Sequence, residues 1–132
     1  MILSISEHIF KVLNASPALS ALVGDRIYPL GTKFEVAFPF VIFERDTVDV
    51  IYDKAARRTA NVDVSVYAAA ETFTESLGLA EIIADLLDKR EAEYEGFAVV
   101  DASIISASED FVENTFVQRL NFRFQIVENG ER

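Results

Sequence analysis

His8 is the chain's one histidine and there is no cysteine, so acid–base, metal and thiolate chemistry would have to rest almost wholly on carboxylates. A histidine that works as a base or a metal ligand needs partners that orient it. His8 has only Glu7 beside it in sequence and reads as a surface or half-buried structural residue next to the apolar stripe of a helix. Two acidic triplets could in principle hold a hard cation: Glu91, Glu93 and Glu95, and Asp46, Asp49 and Asp53. Neither has the glycine-centred ligand spacing of a calcium loop, and both read as solvated charge. Serine and threonine are plentiful, but no G-x-S-x-G pattern raises one on a nucleophile elbow. No glycine-rich loop is present to cradle a phosphate. The residues point to no catalytic, metal or cofactor site, and so to a protein that is not an enzyme. What stands out instead is a basic trio, Lys54, Arg57 and Arg58, in a chain whose formal net charge is −10.

The elements that would carry these residues follow from periodicity. Ser4 and Glu7 fit a capping box, and Ile5, Ile9, Val12 and Leu13 keep a helical period to about Asn14. Ser16-Pro17 reads as an N-cap followed by proline at the first helical position, opening a short second helix that runs to Leu22 and stops at Gly24. Arg26 to Tyr28 is extended ahead of Pro29. Phe40 to Asp46 is a strand, apolar on both faces from Phe40 to Phe43, which suits either mid-sheet or burial against another copy. Residues 60–69 alternate cleanly as a further strand, with Val62, Val64 and Val66 on one face. Thr47 to Thr59 between them is read as an extension of both strands into a projecting arm, tipped by residues 53–58.

Thr72 to Glu75 is a second capping box and opens the longest helix, with Phe73, Leu77, Ala80, Ala84 and Leu87 as its apolar stripe, widened by Leu79 and Ile83. Gly78 inside it suggests a close approach to a sheet. An acidic connector, Glu91 to Gly96, leads to a strand from Phe97 to Ser108, with Val100, Ala102 and Ile104 on one face. After an acidic turn over 109–114, Phe116 to Val127 alternates strictly: Leu120, Phe122, Phe124 and Ile126 face in, Arg119 and Arg123 face out. Residues 128–132 read as a flexible, solvated tail. The order α-α-β-β-β-α-β-β predicts a single α+β domain over 1–132: an antiparallel-dominated sheet, two N-terminal helices, and one long helix packed on one face. A parallel crossover is expected only across the long helix.

Composition sets the remaining bounds. A hydrophobic content of 51% with 11 Phe implies a folded core. No run of about 20 apolar residues is present to span a bilayer, and no membrane role is expected. The pI of about 4.5 argues against a phosphate-gripping protein.

The succession of short helices, V-G-D-R-I-Y-P at 23–29, F-P-F-V-I-F at 38–43, the alternating V-D-V-S-V-Y-A at 62–68 before a long helix, and two final strands resembles the phage tail-completion (tail-terminator, head-to-tail joining) family. The resemblance implies an α+β structural protein of a phage or prophage, made in the bacterial host cytoplasm and placed in the tail or neck of the virion. It also implies a homo-oligomeric ring, often of six copies, that caps the tail tube, docks to the head connector and lets DNA pass without specific binding. On that view Lys54, Arg57, Arg58, Phe40 and Phe43 are candidates for the subunit interface. Glu91, Glu93, Glu95, Glu109, Asp110 and Glu113 are candidates for an acidic channel lining, although acidity serves solubility equally well. Two alternatives are another neck or head-completion protein of similar fold, and a small-ligand-binding domain with an apolar pocket between helix and sheet.

Overall fold

The computed structural model describes residues 2–29, 37–52, 54 and 57–128. The elements run α1 (Ile5–Asn14), α2 (Pro17–Val23), β1 (Ile27–Pro29), β2 (Phe40–Tyr52), β3 (Arg58–Ala70), α3 (Phe73–Leu87), β4 (Ala92–Tyr94), β5 (Phe97–Val112) and β6 (Thr115–Glu128). The strands form one six-stranded sheet in the order β1-β2-β3-β6-β5-β4. All neighbours are antiparallel except β1 and β2. The parallel pair therefore lies at the N-terminal side and not across the long helix, because β3 takes β6 as its neighbour.

The three helices cover one face. α3 packs on β3 and β6, while α1 and α2 lie against α3, and α1 also against β1 and β2. The core between the layers is one cluster centred on Val62, Val64, Val66, Leu120, Phe122, Phe124 and Ile126 from the sheet and on Leu79, Ile83 and Leu87 from α3. Phe122 and Phe124 are fully buried, whereas Arg119 and Arg123 are exposed, so the register expected for β6 holds. Three inward residues of β6 lie opposite inward valines of β3, Leu120 with Val66, Phe122 with Val64 and Phe124 with Val62, and Ile126 lies opposite Ala60. This doubled apolar ladder locks the pairing, because a one-residue slip would exchange both faces at once.

Several details depart from the periodic reading. Ser16 caps α2 as expected, its Oγ accepting from Leu19 N–H at 3.2 Å, and Thr72 caps α3 by accepting from Glu75 N–H at 3.2 Å. Ser4 does not cap α1 through its side chain; the Glu7 N–H donates to the Ser4 carbonyl at 3.0 Å instead. The buried stripe of α3 is Ser76, Leu79, Ala80, Ile83 and Leu87, rotated from the expected one, and Leu77 is 40% exposed. The expected strand 97–108 runs on to Val112, and bulges after Val99 and after Ile104 shift its phase, which turns Val100 outward. The residues 91–96 contain β4, which turns at Gly96 (φ 94°) and pairs with the start of β5. The arm of β2 and β3 does not project alone, because β6 accompanies β3 as far as Thr59. Glu128 ends β6 and is not part of a solvated tail, while residues 129–132 and Asp53 lie outside the described residues.

Gly78 corrects another expectation. A methyl group added at its Cα would meet nothing within 4 Å, so no close helix–sheet approach requires glycine there. Gly78→Ala is expected to raise stability by about 1 kcal/mol, read as a higher melting temperature, because alanine loses less backbone freedom in a helix.

Candidate assembly surfaces

The face of the sheet that carries no helix is polar at its centre. Asp63 and Arg123, opposite each other on β3 and β6, form a two-pronged ion pair at 2.8 and 3.1 Å. That pairing holds the Asp63 carboxyl below its usual range. Two residues along, Ser65 Oγ donates to Asp46 Oδ2 at 2.6 Å and accepts from Arg119 Nη2 at 2.9 Å. The Arg119 guanidinium also lies over the Tyr67 ring, 5.5 Å from its centre. Asn121 Nδ2 reaches across to Ser106 Oγ at 2.8 Å. Glu44 at the rim of this network is pushed up, first by desolvation and then by its neighbour Asp46. Charges here are largely matched within the face, and no nucleophile is poised beside a base.

Toward the β5–β6 turn the same face becomes apolar. Phe40, Ile42, Tyr67, Ala69, Val112 and Val117 line an open groove of about 400 Å³. On the helix side of that end, Phe111 and Phe116 lie 4.6 Å apart, and Phe73 meets Phe116 at 6.1 Å. The turn itself is a two-residue one, with Glu113 (φ 50°) and Asn114 (φ 62°) both left-handed, as a type I′ hairpin requires.

The candidate residues separate on this frame. Phe40 lies on the helix-free face at the groove, but Phe43 is 3% exposed and belongs to the core, so it offers no interface in the folded chain. Alternation puts the two phenylalanines of this apolar run one in the core and one outside. Lys54 and Arg57 are exposed at the β2–β3 tip. Arg58 is instead a strand residue, held to Glu128 by two hydrogen bonds of 2.7 Å. The acidic candidates form two separate groups. Glu91, Glu93 and Glu95 lie around β4, beside the end of β5 where Phe97 pairs with Glu128. Glu109, Asp110 and Glu113 lie at the other end, where Val112 pairs with Thr115. The stretch of β5 from Phe97 to Ser108 separates them, roughly 40 Å of extended chain. Glu109 accepts from Gln118 Nε2 at 3.0 Å, and Asp110 accepts from the Phe111 N–H at 2.8 Å.

His8 is wholly buried, and its partner is Tyr94, whose hydroxyl lies 2.6 Å from Nδ1. Nε2 has no hydrogen-bond partner among the described residues. Burial, with Arg90 nearby, lowers the His8 pKa from 6.5 to about 4. Burial also raises Tyr94, so the pair is neutral across the physiological range. An uncharged imidazole sealed in the core is a structural group, but it is wholly buried where the sequence pointed to a surface or half-buried site, because β4, which periodicity did not reveal, brings Tyr94 over it. The cross-strand partners of Ser65, Asp63 and Arg58 escaped for a similar reason: alternation marks which residues face out, but only register shows which ones meet.

Among the described residues no cluster of three or more His, Cys, Asp or Glu could hold a metal ion, and no helix is long and apolar enough to cross a membrane. The described residues thus form a helix-backed α+β sheet whose bare face is charge-matched at its centre and apolar at one end. The chain belongs to the tail completion protein gp17 family, whose match covers residues 7–129. It is accordingly a structural protein of the virion tail or neck, associated there with other tail or head proteins. Among solved structures it is similar to a chain of the virion of a native gene transfer agent particle, at 23% identity and a TM-score of 0.73 over 92% of both chains, a likeness of fold. No curated protein matches.

Proposed function

We propose that this protein closes the end of the tail tube as a homo-oligomeric ring and joins the tail to the head, with DNA passing through it. The family match over residues 7–129 carries this reading. The exposed apolar residues at both ends of the sheet support it, since a monomer gains nothing from Ile51, Tyr52, Phe111 and Val112 in water. The partners are other copies of the chain, the tail-tube protein and the head connector protein. Electron microscopy of purified protein with tail tubes tests the reading: capped tubes with a closed ring at one end support it. Bare tube ends and a strictly monomeric protein would refute it. The role is structural and needs no catalytic step.

Lys54 and Arg57 at the β2–β3 tip suit an acidic surface on the neighbouring copy, where charge complementarity adds register. Replacing both with serine is expected to alter stability by less than about 0.5 kcal/mol. The same variant should assemble less well, and added salt should reproduce the defect in the unmodified protein. Light scattering alongside a melting curve measures both. Arg58 is left intact in this variant, because its loss would strand Glu128.

The acidic segments each offer a separate rim of such a ring. A pocket between helix and sheet for a small ligand has less support, because Phe97, Phe122, Phe124, Leu79 and Ile83 are all buried in that space.

A further inference from the structure

The sheet has two outer edges, and each is covered along only part of its length. On β2, β1 covers Val41 to Phe43, and among the described residues no strand lies alongside Glu44 to Tyr52. On β5, β4 covers Phe97 to Val99. The linker after α3 then covers the next stretch, with Lys89 N–H donating to the Ala102 carbonyl and Asp88 Oδ1 accepting from Ile104 N–H, both at 2.9 Å. From Ile105 to Val112 the inner side pairs with β6 and no described strand lies along the outer side, where the Phe111 N–H is held by its neighbour Asp110. Open edges are ordinarily protected by lysine, proline or brevity. The β2 run carries charges at Glu44, Arg45, Asp46 and Asp49 and a bulge after Arg45, and the β5 run carries Glu109 and Asp110. Neither contains lysine or proline, however, and both carry large apolar side chains in water: Val50, Ile51 and Tyr52 on β2, and Ile105, Phe111 and Val112 on β5.

We propose that these two runs are the joint between copies: Ile105–Val112 of one copy pairs antiparallel with Glu44–Tyr52 of the next, so that the sheets of neighbouring subunits become continuous. The proposal rests on the ring reading above and adds its contact. Three observations single out another copy of this chain as the occupant. The polarity fits, since three successive antiparallel pairings from β2 through β3 and β6 leave β5 antiparallel to β2. The two runs are nearly equal in length and are open toward opposite ends of the sheet. Their offset also suits closure. Ser108 in the middle of the β5 run is level with Ile42, through Arg119 and Tyr67. Val48, in the middle of the β2 run, is five pairs further along. That is roughly 17 Å of stagger against roughly 19 Å for four strand spacings. The resulting tilt of about 40° falls within the ~35–45° range at which strands close into a barrel. A joint of unlike edges is head-to-tail, the kind that generates rings, whereas pairing like edges would stop at a dimer.

The absence of cysteine gives a clean background for cross-linking. Full-length protein carrying Asp49→Cys with Ser108→Cys, or Ile51→Cys with Ser106→Cys, is assembled and mildly oxidised; paired strands bring such residues within disulfide reach. The expected result is a ladder of covalent oligomers ending at the size of the ring on a non-reducing gel. Each single variant alone should stay monomeric on the gel, and mixing the two single variants should give dimers. Rings seen by light scattering in which no β2–β5 pair cross-links, or in which single variants cross-link to themselves, overturn the edge joint and leave the ring reading standing. Protein that never assembles, even on tail tubes, overturns both. Ile105→Lys gives an independent arm: the exposed site should leave the melting temperature unchanged and shift the protein from ring to monomer, and intact rings in this variant count against the joint.

Discussion

Phe122→Ala and Phe124→Ala are each expected to lower the unfolding free energy by about 3–5 kcal/mol. Both rings are fully buried, 6.0 Å apart, and each faces a valine of β3. Whole domains have roughly 5–15 kcal/mol in hand, so either change alone brings the chain near its folding limit. Denaturant titration measures the loss directly. Arg119→Ala, one strand position outside the core, is expected to be far milder, since it removes an exposed side chain from a hydrogen-bonded surface. A loss at Arg119 equal to that at Phe122 would contradict the register of β6.

Lowering the pH from about 7 to about 4 is expected to destabilise the protein through His8. Its pKa falls from 6.5 in the unfolded chain to about 4 in the fold. The unfolded state therefore takes up a proton first, and stability present above 6.5 is lost progressively toward 4. The depression corresponds to about 3 kcal/mol at the low end of that window. Glu44 acts in the opposite sense, because desolvation raises its carboxyl and protonation relieves it. Asp63 and Glu128 are lowered by their arginines, so they add to acid lability below the ordinary carboxylate range. His8→Leu should flatten the dependence between pH 6.5 and 5, measured by urea titration at a series of pH values. A slope unchanged by the substitution would assign the effect to other groups.

The strictly alternating strands were legible in the sequence because one face of each is buried under helices, and burial imposes a period of two. β6 and β3 are the clearest cases. β5 was legible as a strand but not in phase throughout: Ala102 and Ile104 face the core as expected, while the bulge after Val99 leaves Val100 outside. β4 was hidden by composition: its one glutamate, Glu93, and the flanking Glu91 and Glu95 are exposed, and Tyr94 alone reports a buried partner. The stripe on α3 was misphased because Phe73 and Leu77 are apolar yet exposed. Of the candidate surface, the basic tip was visible as a break in charge. Phe43 misled, because an apolar run has the same composition whether its second face meets a neighbour or the protein's own core. The open edges could not be read at all, since they depend on which strands lie side by side.

The neighbours β3 and β6 are separated in sequence by α3, β4 and β5. On the ribosome, β2 and β3 can form a hairpin early, but the central ladder must wait for Phe116 to Val127 to emerge. Until then the valines of β3 have only β2 beside them, and the other edge of β3 stays unpaired. Such long-range closure is slow and exposed to misassembly. Commitment to the native state therefore comes with the last described strand, and subunits can enter assembly only after it is in place.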